Sequence, residues 1–173
     1  LRDVKGGVVD YGAGDCRVSQ LIQDKLGLMV SACDILDYRA SETTVPFQLL
    51  DGFSTKVPDE LFVAGVLTNV LHHEANNEGI LIELERVVTK KLIILETVPA
   101  GNTEKEMEND KDRTFMNDYL YNRLFHNADI PVPGAFETPN GWEKRFNHRG
   151  WKLIKKADLG FDQPTIKDRH YLM

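Results

Sequence analysis

The stretch from Gly7 to Arg17 constrains the fold of this chain more than any other part of the sequence. It reads Gly-Val-Val-Asp-Tyr-Gly-Ala-Gly-Asp-Cys-Arg, a β-branched run that ends in an acid and passes through two glycines into an amphipathic segment. Buried parallel strands connect to helices in this way beside a ligand crevice. The stretch therefore predicts a strand, a glycine turn and a helix that border a binding site.

The residues that follow extend this unit into a strand, a helix and a second strand. Asp15 is placed to cap the helix and Gly27 to end it. The helix carries apolar residues at helical spacing, at Val18, Leu21, Ile22 and Leu26. A second strand over residues 28–32 leads into Asp34, and the crossover is expected to be right-handed. Asp34 follows Gly14 by 20 residues, which is about the spacing of a ribose-binding carboxylate after such a turn.

Strands and helices continue to alternate along the chain, which predicts a parallel α/β sheet. Further strands are predicted at 47–50, 61–68, 92–95, 151–154 and 170–173, and further helices from Asn76 to Val88, over 115–125 and from Pro139 to Gly150. Residues 101–112 are polar and acid-rich, which predicts a surface loop or the frayed start of a helix. The prolines between Asp129 and Gly134 exclude a helix in that segment.

Length and charge limit the classes of protein to which the chain can belong. Its 173 residues allow one domain with a substantial core, so we predict a single domain over 1–173. The net charge of −6 gives no general attraction to nucleic acid or anionic lipid. Two cysteines without metal-site spacing, and no apolar run of about 18 residues, predict a cytoplasmic protein with reduced thiols and no membrane span. The first predicted strand begins close to residue 1, which is compatible with truncation of the ends.

Five ordered motifs resemble those of the class I S-adenosylmethionine-dependent methyltransferases, over nearly the full length of the chain. They are Val-Val-Asp-Tyr-Gly-Ala-Gly at 8–14, Ala-Cys-Asp at 32–34, Leu-Asp-Gly at 50–52, Asn-Val-Leu-His-His at 69–73 and Leu-Glu-Arg-Val-Val at 84–88. The resemblance implies an α/β fold with a doubly wound, mostly parallel sheet of seven strands, helices on both faces and an antiparallel last strand. It also implies an enzyme that transfers a methyl group from S-adenosylmethionine to an acceptor.

The resemblance assigns the cofactor-binding residues position by position. Gly12 and Gly14 would let the backbone approach the methionine part of the cofactor, and Asp34 would accept both ribose hydroxyls. Asp51 would meet the adenine amino group, and Asn69 would lie beside the methionine end. The full predicted set is Asp10, Gly12, Ala13, Gly14, Asp34, Ile35, Asp51, Gly52 and Asn69.

Three positions depart from the family pattern. Cys16 stands where many members have a further glycine, Asn69 replaces the usual acid of the fourth motif, and Lys90-Lys91 replaces a frequent glycine pair. The first two leave the main predicted cofactor contacts in place. The third is expected to alter only loop geometry.

The acceptor side of the predicted site rests on fewer residues. His73 is predicted to line the acceptor pocket as a general base, and a structural, hydrogen-bonded histidine is the alternative. His72, Tyr119 and Trp142 are the other predicted substrate-binding residues. The segment over about 101–140 is predicted to cap the site and to determine which acceptor binds.

A metal site is not predicted. His72 and His73 are adjacent, and adjacent side chains point in different directions, so the pair is not expected to chelate one ion. His126 and His170 carry the same two interpretations as His73, a group in the pocket or a structural histidine.

Other classes of function stay open. A dinucleotide-binding oxidoreductase shares the architecture, but its fingerprint needs a third glycine where this chain has Arg17. A non-catalytic relative would keep the fold without transferring methyl groups. The acidic charge favours a small-molecule acceptor over nucleic acid. A nucleic-acid or protein acceptor and the oligomeric state are left open by the sequence.

Overall fold

The structure, a computed structural model, describes residues 1–125, 129–161 and 168–173. The strands are β1 Val8–Tyr11, β2 Val30–Asp34, β3 Phe47–Leu49, β4 Phe62–Thr68, β5 Val88–Val98, β6 Ala157–Phe161 and β7 Arg169–Leu172. The helices are α1 Arg17–Leu26, α2 Glu78–Val87, α3 Glu104–Asn109, α4 Lys111–Phe125 and α5 Pro139–His148, and a 3-10 helix covers Leu71–His73. None of the helices described has the length and apolar character that a bilayer span requires.

The seven strands form one sheet in the order β3-β2-β1-β4-β5-β7-β6. β1 pairs in parallel with β2 and with β4, and β2 pairs in parallel with β3. β7 runs antiparallel to both of its neighbours, β5 and β6. The predicted fold class, a mostly parallel seven-stranded sheet with an antiparallel last strand, is confirmed.

The chain divides into two compact units, Leu1–Thr68 with Asn76–Ile93 and Asn69–Ala75 with Ile94–Met173. The first unit is built on the parallel strands β1 to β4. Its apolar core contains the buried side chains of Val4, Val8, Cys16, Val30, Ala32, Val45, Ala64 and Val66. Burial of this small, mostly β-branched set on adjacent strands explains why the runs at 8–9 and 61–68 predict strands correctly.

Helix α1 ends at Gly27 as predicted, but its predicted apolar face is only partly buried: Ile22 packs against the core, and Leu26 is 39% exposed. Val18 and Leu21 are exposed, whereas Ser19 is fully buried. The Ser19 hydroxyl donates a hydrogen bond of 2.5 Å to the carboxylate of Asp10. A polar contact between Ser19 and a buried acid therefore influences how this helix is rotated about its axis. The apolar spacing predicts the wrong side of the helix for Val18 and Leu21.

Side chains of β5 and of helix α2 approach β4 closely at Gly65, where a Cβ would lie 3.5 Å from Leu84 of α2. A Cβ on Gly65 would lie 2.8 Å from Leu92 and 3.2 Å from Val88, so only glycine permits this close approach. The predicted apolar face of α2 is confirmed, because Ile80, Leu81, Leu84 and Val87 are all buried.

The polar residues of the motif at 84–88 also have a structural role in the first unit. Arg86 donates to the carbonyl of Val57 at 2.7 Å and to the carboxylates of Glu83 and Asp59, each at 2.7 Å. Glu83 in turn accepts the N–H and the hydroxyl of Thr55 at 2.7 and 2.6 Å. These contacts hold the segment at 55–59 against α2.

The second unit contains the carboxyl end of β5, the strands β6 and β7, and helices α3 to α5. The predicted strand at 151–154 is wrong, because β6 begins at Ala157. The N–H of Trp151 donates to the carbonyl of Phe146 at the end of α5, and Ile154 is 83% exposed. The segment therefore completes the helix terminus, and pairing with β7 starts only after it.

Of the two alternatives predicted for 101–112, a surface loop or the start of a helix, the structure has the helix. Thr103 accepts a hydrogen bond from the N–H of Glu106 and begins α3, and α4 follows at Lys111. A Thr cap with acids in the first turn favours a helix here. The helix predicted after Thr138 is confirmed, since its hydroxyl caps α5 at the N–H of Gly141. Residues 129–138 contain no helix or strand, in agreement with the proline argument.

Helix α4 has an inverted distribution of polar and apolar residues. Its buried side chains are Thr114 and Asn122, and the side chain of Asp118 between them is only 15% exposed. Its large apolar residues are exposed: Met116, Tyr119, Leu120, Tyr121, Leu124 and Phe125. Burial of polar groups is costly unless they have partners, so this face of α4 indicates a polar interior site.

Candidate functional site

The glycine turn lies at the carboxyl end of β1 in the first unit. Gly12 and Gly14 have φ values of 74° and 56°, which favour glycine. The N–H groups of Gly12 and Ala13 both donate to the carbonyl of Cys33 at the end of β2, at 2.8 and 3.0 Å. A Cβ on Gly14 would be in ordinary van der Waals contact with the Tyr38 ring, whose hydroxyl would lie 3.8 Å away, so the left-handed backbone and not a clash favours glycine here.

Asp34 links the end of β2 to this turn. Its Oδ2 accepts the N–H of Gly14 at 2.8 Å, and its Oδ1 accepts the N–H of Ile35 at 2.7 Å. These bonds fix the carboxylate in one orientation. The Leu36 N–H donates more weakly to Oδ1, at 3.4 Å. A carboxylate has about four acceptor positions, so Asp34 keeps capacity for a further donor although only 7% of its surface is exposed.

Asp10 is the buried acid beneath the turn. It is 1% exposed; its Oδ2 accepts the Ser19 hydroxyl, and its Oδ1 has no hydrogen-bond partner among the residues described. Burial raises the pKa of the Asp10 carboxyl to about 6. An orphaned buried oxygen at this position fits the predicted role of orienting a ligand at the turn.

Replacement of Asp10 by asparagine is expected to change the pH dependence of stability. Because the folded pKa of about 6 lies above the ordinary value of 3.8, the native state binds more protons between these values, and stability falls as pH rises through this window. Asp10→Asn should remove a loss of about 3 kcal/mol between pH 4 and pH 7. Urea unfolding across this range measures it, with the exposed Asp24→Asn as the matched control, and parallel curves for wild type and Asp10→Asn would contradict the expectation.

Cys16 stands at the position where the family pattern has a further glycine. It is fully buried and has a φ of 63°, in the left-handed region where glycine is favoured. Burial raises the pKa of its thiol to about 11, so the thiol is protonated at neutral pH. The predicted cap residue Asp15 precedes it and accepts the N–H of Arg17, the first residue of α1, at 3.0 Å.

The remaining predicted cofactor residues of the first unit lie at the surface. Ile35 follows Asp34 and is 48% exposed. Asp51 and Gly52 form the turn after β3, where the Asp51 side chain is 88% exposed and lies 3.5 Å from the Lys56 ammonium. The side chain of Asp51 is therefore accessible to a ligand, and its contact with an adenine amino group stays a prediction.

Asn69, the residue after β4, belongs to the second unit. Its φ of 55° is left-handed, and its N–H donates to the carbonyl of Leu95 at 2.8 Å. Its side-chain oxygen accepts the Thr97 hydroxyl at 3.3 Å. Asparagine tolerates the left-handed region better than most residues, which gives a backbone reason for its presence where the family usually has an acid.

His72 is held in the interior of the second unit by Glu96. The Nδ1 of His72 lies 2.6 Å from Oε2 of Glu96, and the N–H groups of Val70 and Leu71 donate to Oε1 at 2.8 and 2.7 Å. Burial opposes protonation of His72, but the Glu96 carboxylate outweighs it and raises the pKa above its ordinary value. Sequence reasoning missed Glu96, although a lone acid inside the apolar run of β5 is a signal for a buried polar partner.

His73 lies at the edge of the same cluster, with its side chain 21% exposed. Its Nδ1 is 2.8 Å from the carbonyl oxygen of Pro131 and 4.0 Å from a carboxylate oxygen of Asp118. The rings of His72 and His73 lie with centroids only 4.2 Å apart. The expectation that these two side chains diverge is therefore wrong, because both rings lie near the Asp118 carboxylate.

The other predicted substrate-binding residues separate by burial. His72 and Trp142 are 1% and 0% exposed, so both lie inside the second unit. Tyr119 is 38% exposed and accessible. His170 lies in β7 with its Nδ1 3.3 Å from the Thr97 hydroxyl, and His126 lies outside the described residues.

Comparison with known proteins gives no match to a protein-family model and no match among curated proteins. Solved structures do match. A protein from Bacillus halodurans assigned as a methyltransferase has a TM-score of 0.69 at 15% identity, with 99% of this chain and 93% of that chain covered. The chain has the fold of the class I methyltransferases.

Further methyltransferase structures share this fold. Phosphoethanolamine N-methyltransferase 2 of Haemonchus contortus, in complex with S-adenosyl-L-methionine, has a TM-score of 0.67 at 11% identity, and the match covers 98% of this chain and 48% of that one. A protein assigned as a methyltransferase, in complex with the Trm112 activator of Haloferax volcanii, has a TM-score of 0.69 at 12% identity, with 98% and 82% covered. This chain therefore spans about half the length of the Haemonchus enzyme.

Proposed function

We propose that the protein is an S-adenosylmethionine-dependent methyltransferase whose acceptor is a small molecule. The observation that carries the proposal is the connection between the glycine turn and Asp34, where the Gly14 N–H donates to the carboxylate at 2.8 Å. This hydrogen bond holds the acid in a fixed orientation beside the left-handed glycine turn. The methyltransferase fold supports the same function.

The residues of the turn fit the cofactor chemically. S-adenosylmethionine, when bound, supplies a sulfonium methyl group that a nucleophile can displace in line. Asp34 accepts ribose hydroxyls with the acceptor positions that the Gly14 and Ile35 N–H groups leave over. Gly12 and Gly14 let the backbone approach the methionine end, and Asp10 supplies a buried oxygen without a partner.

Positioning is the main catalytic task that this chain has to perform. Alignment of two reacting groups at about 3 to 3.5 Å can contribute roughly 7–11 kcal/mol, more than a general base commonly supplies. Tyr119, which is accessible, is proposed to contact the acceptor. His73, partly exposed, is proposed as the base for acceptors that must lose a proton.

Calorimetric titration with S-adenosylmethionine and S-adenosylhomocysteine tests the proposal. Wild-type protein is expected to bind one equivalent. Asp34→Ala is expected to weaken binding by at least about 100-fold, because two hydrogen bonds to a charged group contribute roughly 3 kcal/mol or more together. Asp34→Asn keeps an acceptor for the backbone and separates loss of binding from loss of folding.

The matched control is Asp37→Ala, which removes an exposed acid from the same loop. Asp37 pairs with Arg39 at the surface, at 2.8 Å, and its loss is expected to leave cofactor affinity unchanged. Folding of each variant is verified by circular dichroism. Absence of binding by folded wild-type protein would overturn the enzyme proposal in favour of a non-catalytic relative of the same fold.

A further inference from the structure

We propose that His72, His73 and Asp118 form a binding site for a divalent transition-metal ion in the second unit. One ligand atom from each of these residues lies within 4.8 Å of the other two. The site goes beyond the proposed methyl transfer, and it rests only on residues of Asn69–Ala75 and Ile94–Met173. The proposed metal site does not depend on cofactor binding.

The distances within the cluster are close to those of a metal site. Nε2 of His72 lies 3.8 Å from Oδ1 of Asp118. Two ligands about 2.1 Å from a tetrahedral ion lie about 3.4 Å apart. The Asp118 and His73 side chains are 15% and 21% exposed, which leaves the cluster accessible to an ion from solvent.

Each ligand is oriented by a second residue. Glu96 holds Nδ1 of His72 at 2.6 Å, which turns Nε2 toward Asp118. The Pro131 carbonyl lies 2.8 Å from Nδ1 of His73, and the Asn122 amide donates to Oδ1 of Asp118 at 2.9 Å. Metal-binding histidines and carboxylates are commonly oriented by such carboxylate, carbonyl and amide partners.

One carboxylate oxygen of Asp118 accepts no hydrogen bond from the residues described. Its Oδ2 is buried and has no hydrogen-bond partner among the residues described. A buried carboxylate oxygen is expected to have a partner, because its desolvation is costly. The inverted polarity of α4, with Thr114, Asp118 and Asn122 on the buried side, brings this unpaired oxygen into the interior.

The charge around His72 favours a cation. Carboxylate oxygens of Glu96 and Asp118 lie 2.6 and 3.8 Å from its two ring nitrogens. The same negative potential attracts a metal ion when the ring is neutral. Imidazole with carboxylate suits Zn²⁺, Fe²⁺, Co²⁺ or Ni²⁺, and three protein ligands leave an open position for water or for an oxygen or nitrogen donor.

Titration of the tag-free full chain, cleared of metal by a chelator, with ZnCl₂ and CoCl₂ tests the site. Wild-type protein is expected to bind one Zn²⁺ by calorimetry and to give Co²⁺ d–d absorption bands. His73→Ala and Asp118→Asn are expected to weaken Zn²⁺ binding more than Glu96→Gln does, since loss of an orienting partner costs roughly 10- to 100-fold. Both ligand positions are partly exposed, and circular dichroism confirms that the variants fold.

His148→Ala is the matched control, because His148 is an exposed histidine at the end of α5. It is expected to bind Zn²⁺ as the wild type does. Absence of stoichiometric binding by wild-type protein would overturn the proposal. Binding that persists unchanged in folded His73→Ala and Asp118→Asn would overturn it equally, since it would place the ion elsewhere.

Discussion

Replacement of Glu96 by alanine is expected to lower the free energy of unfolding by about 3–5 kcal/mol. Glu96 is fully buried and accepts three hydrogen bonds, from the N–H groups of Val70 and Leu71 and from the ring of His72. Its removal leaves two buried N–H groups and an imidazole without an acceptor. Urea unfolding followed by circular dichroism measures the loss.

The control for Glu96→Ala is Glu108→Ala in α3, which removes the same side chain from an exposed ion pair with Lys111. Exposed pairs contribute about 0–1 kcal/mol, so this variant should unfold almost as the wild type does. Glu96→Gln keeps the size of the side chain and should lose less than Glu96→Ala. Equal stability of Glu96→Ala and Glu108→Ala would show that the interior cluster does not hold the 3-10 helix.

Replacement of Trp142 by alanine is expected to destabilise the protein by about 3–5 kcal/mol. Trp142 is completely buried in α5, and its ring stacks on Phe146 with centroids 6.1 Å apart. Removal of so large a buried side chain leaves a cavity that its neighbours cannot fill. Thermal and urea unfolding give the loss.

Trp151→Ala is the matched control, because Trp151 is only partly buried, and it should cost clearly less. Trp142→Phe should also cost less than Trp142→Ala, since it retains an aromatic ring. The Nε1 of Trp142 has no partner among the residues described, so loss of this donor breaks no hydrogen bond there. A Trp142→Ala variant of wild-type stability would contradict a structural role for Trp142 and favour its predicted role as a substrate-binding residue.

The fold could be predicted from the sequence largely because each parallel strand is short, apolar and followed by a distinct turn. Val8, Val9 and Gly12 predict the first strand and its turn, and Gly27 the end of the first helix, as the structure has them. The prediction failed at 151–154, where apolar residues complete a helix terminus. At 101–112 composition left a loop and a helix start as alternatives, and the Thr103 cap with acids in the first turn gives the helix.

The first candidate site could be predicted because its parts are close in the sequence. The glycine turn and Asp34 belong to one strand–helix–strand unit, and their spacing predicts a ribose-binding carboxylate. The structure adds a contact that the sequence did not predict, from the Gly14 N–H to Asp34 at 2.8 Å. The rotation of α1 could not be predicted, because the Ser19 bond to Asp10 outweighs the apolar spacing of Val18 and Leu21.

The sequence by itself determined the alternation of strands and helices, the glycine turn and the acid that follows it, because these depend on local backbone preference and periodicity. Only the tertiary structure decided that Glu96, His72 and Asp118 meet, since they lie on a strand, a 3-10 helix and a helix that are far apart in the sequence. The sequence does not show which buried polar side chains contact one another, because their hydrogen-bond partners come together only in the folded interior. Before folding, the two histidines, the lone acid of β5 and the polar face of α4 are separate features of the chain.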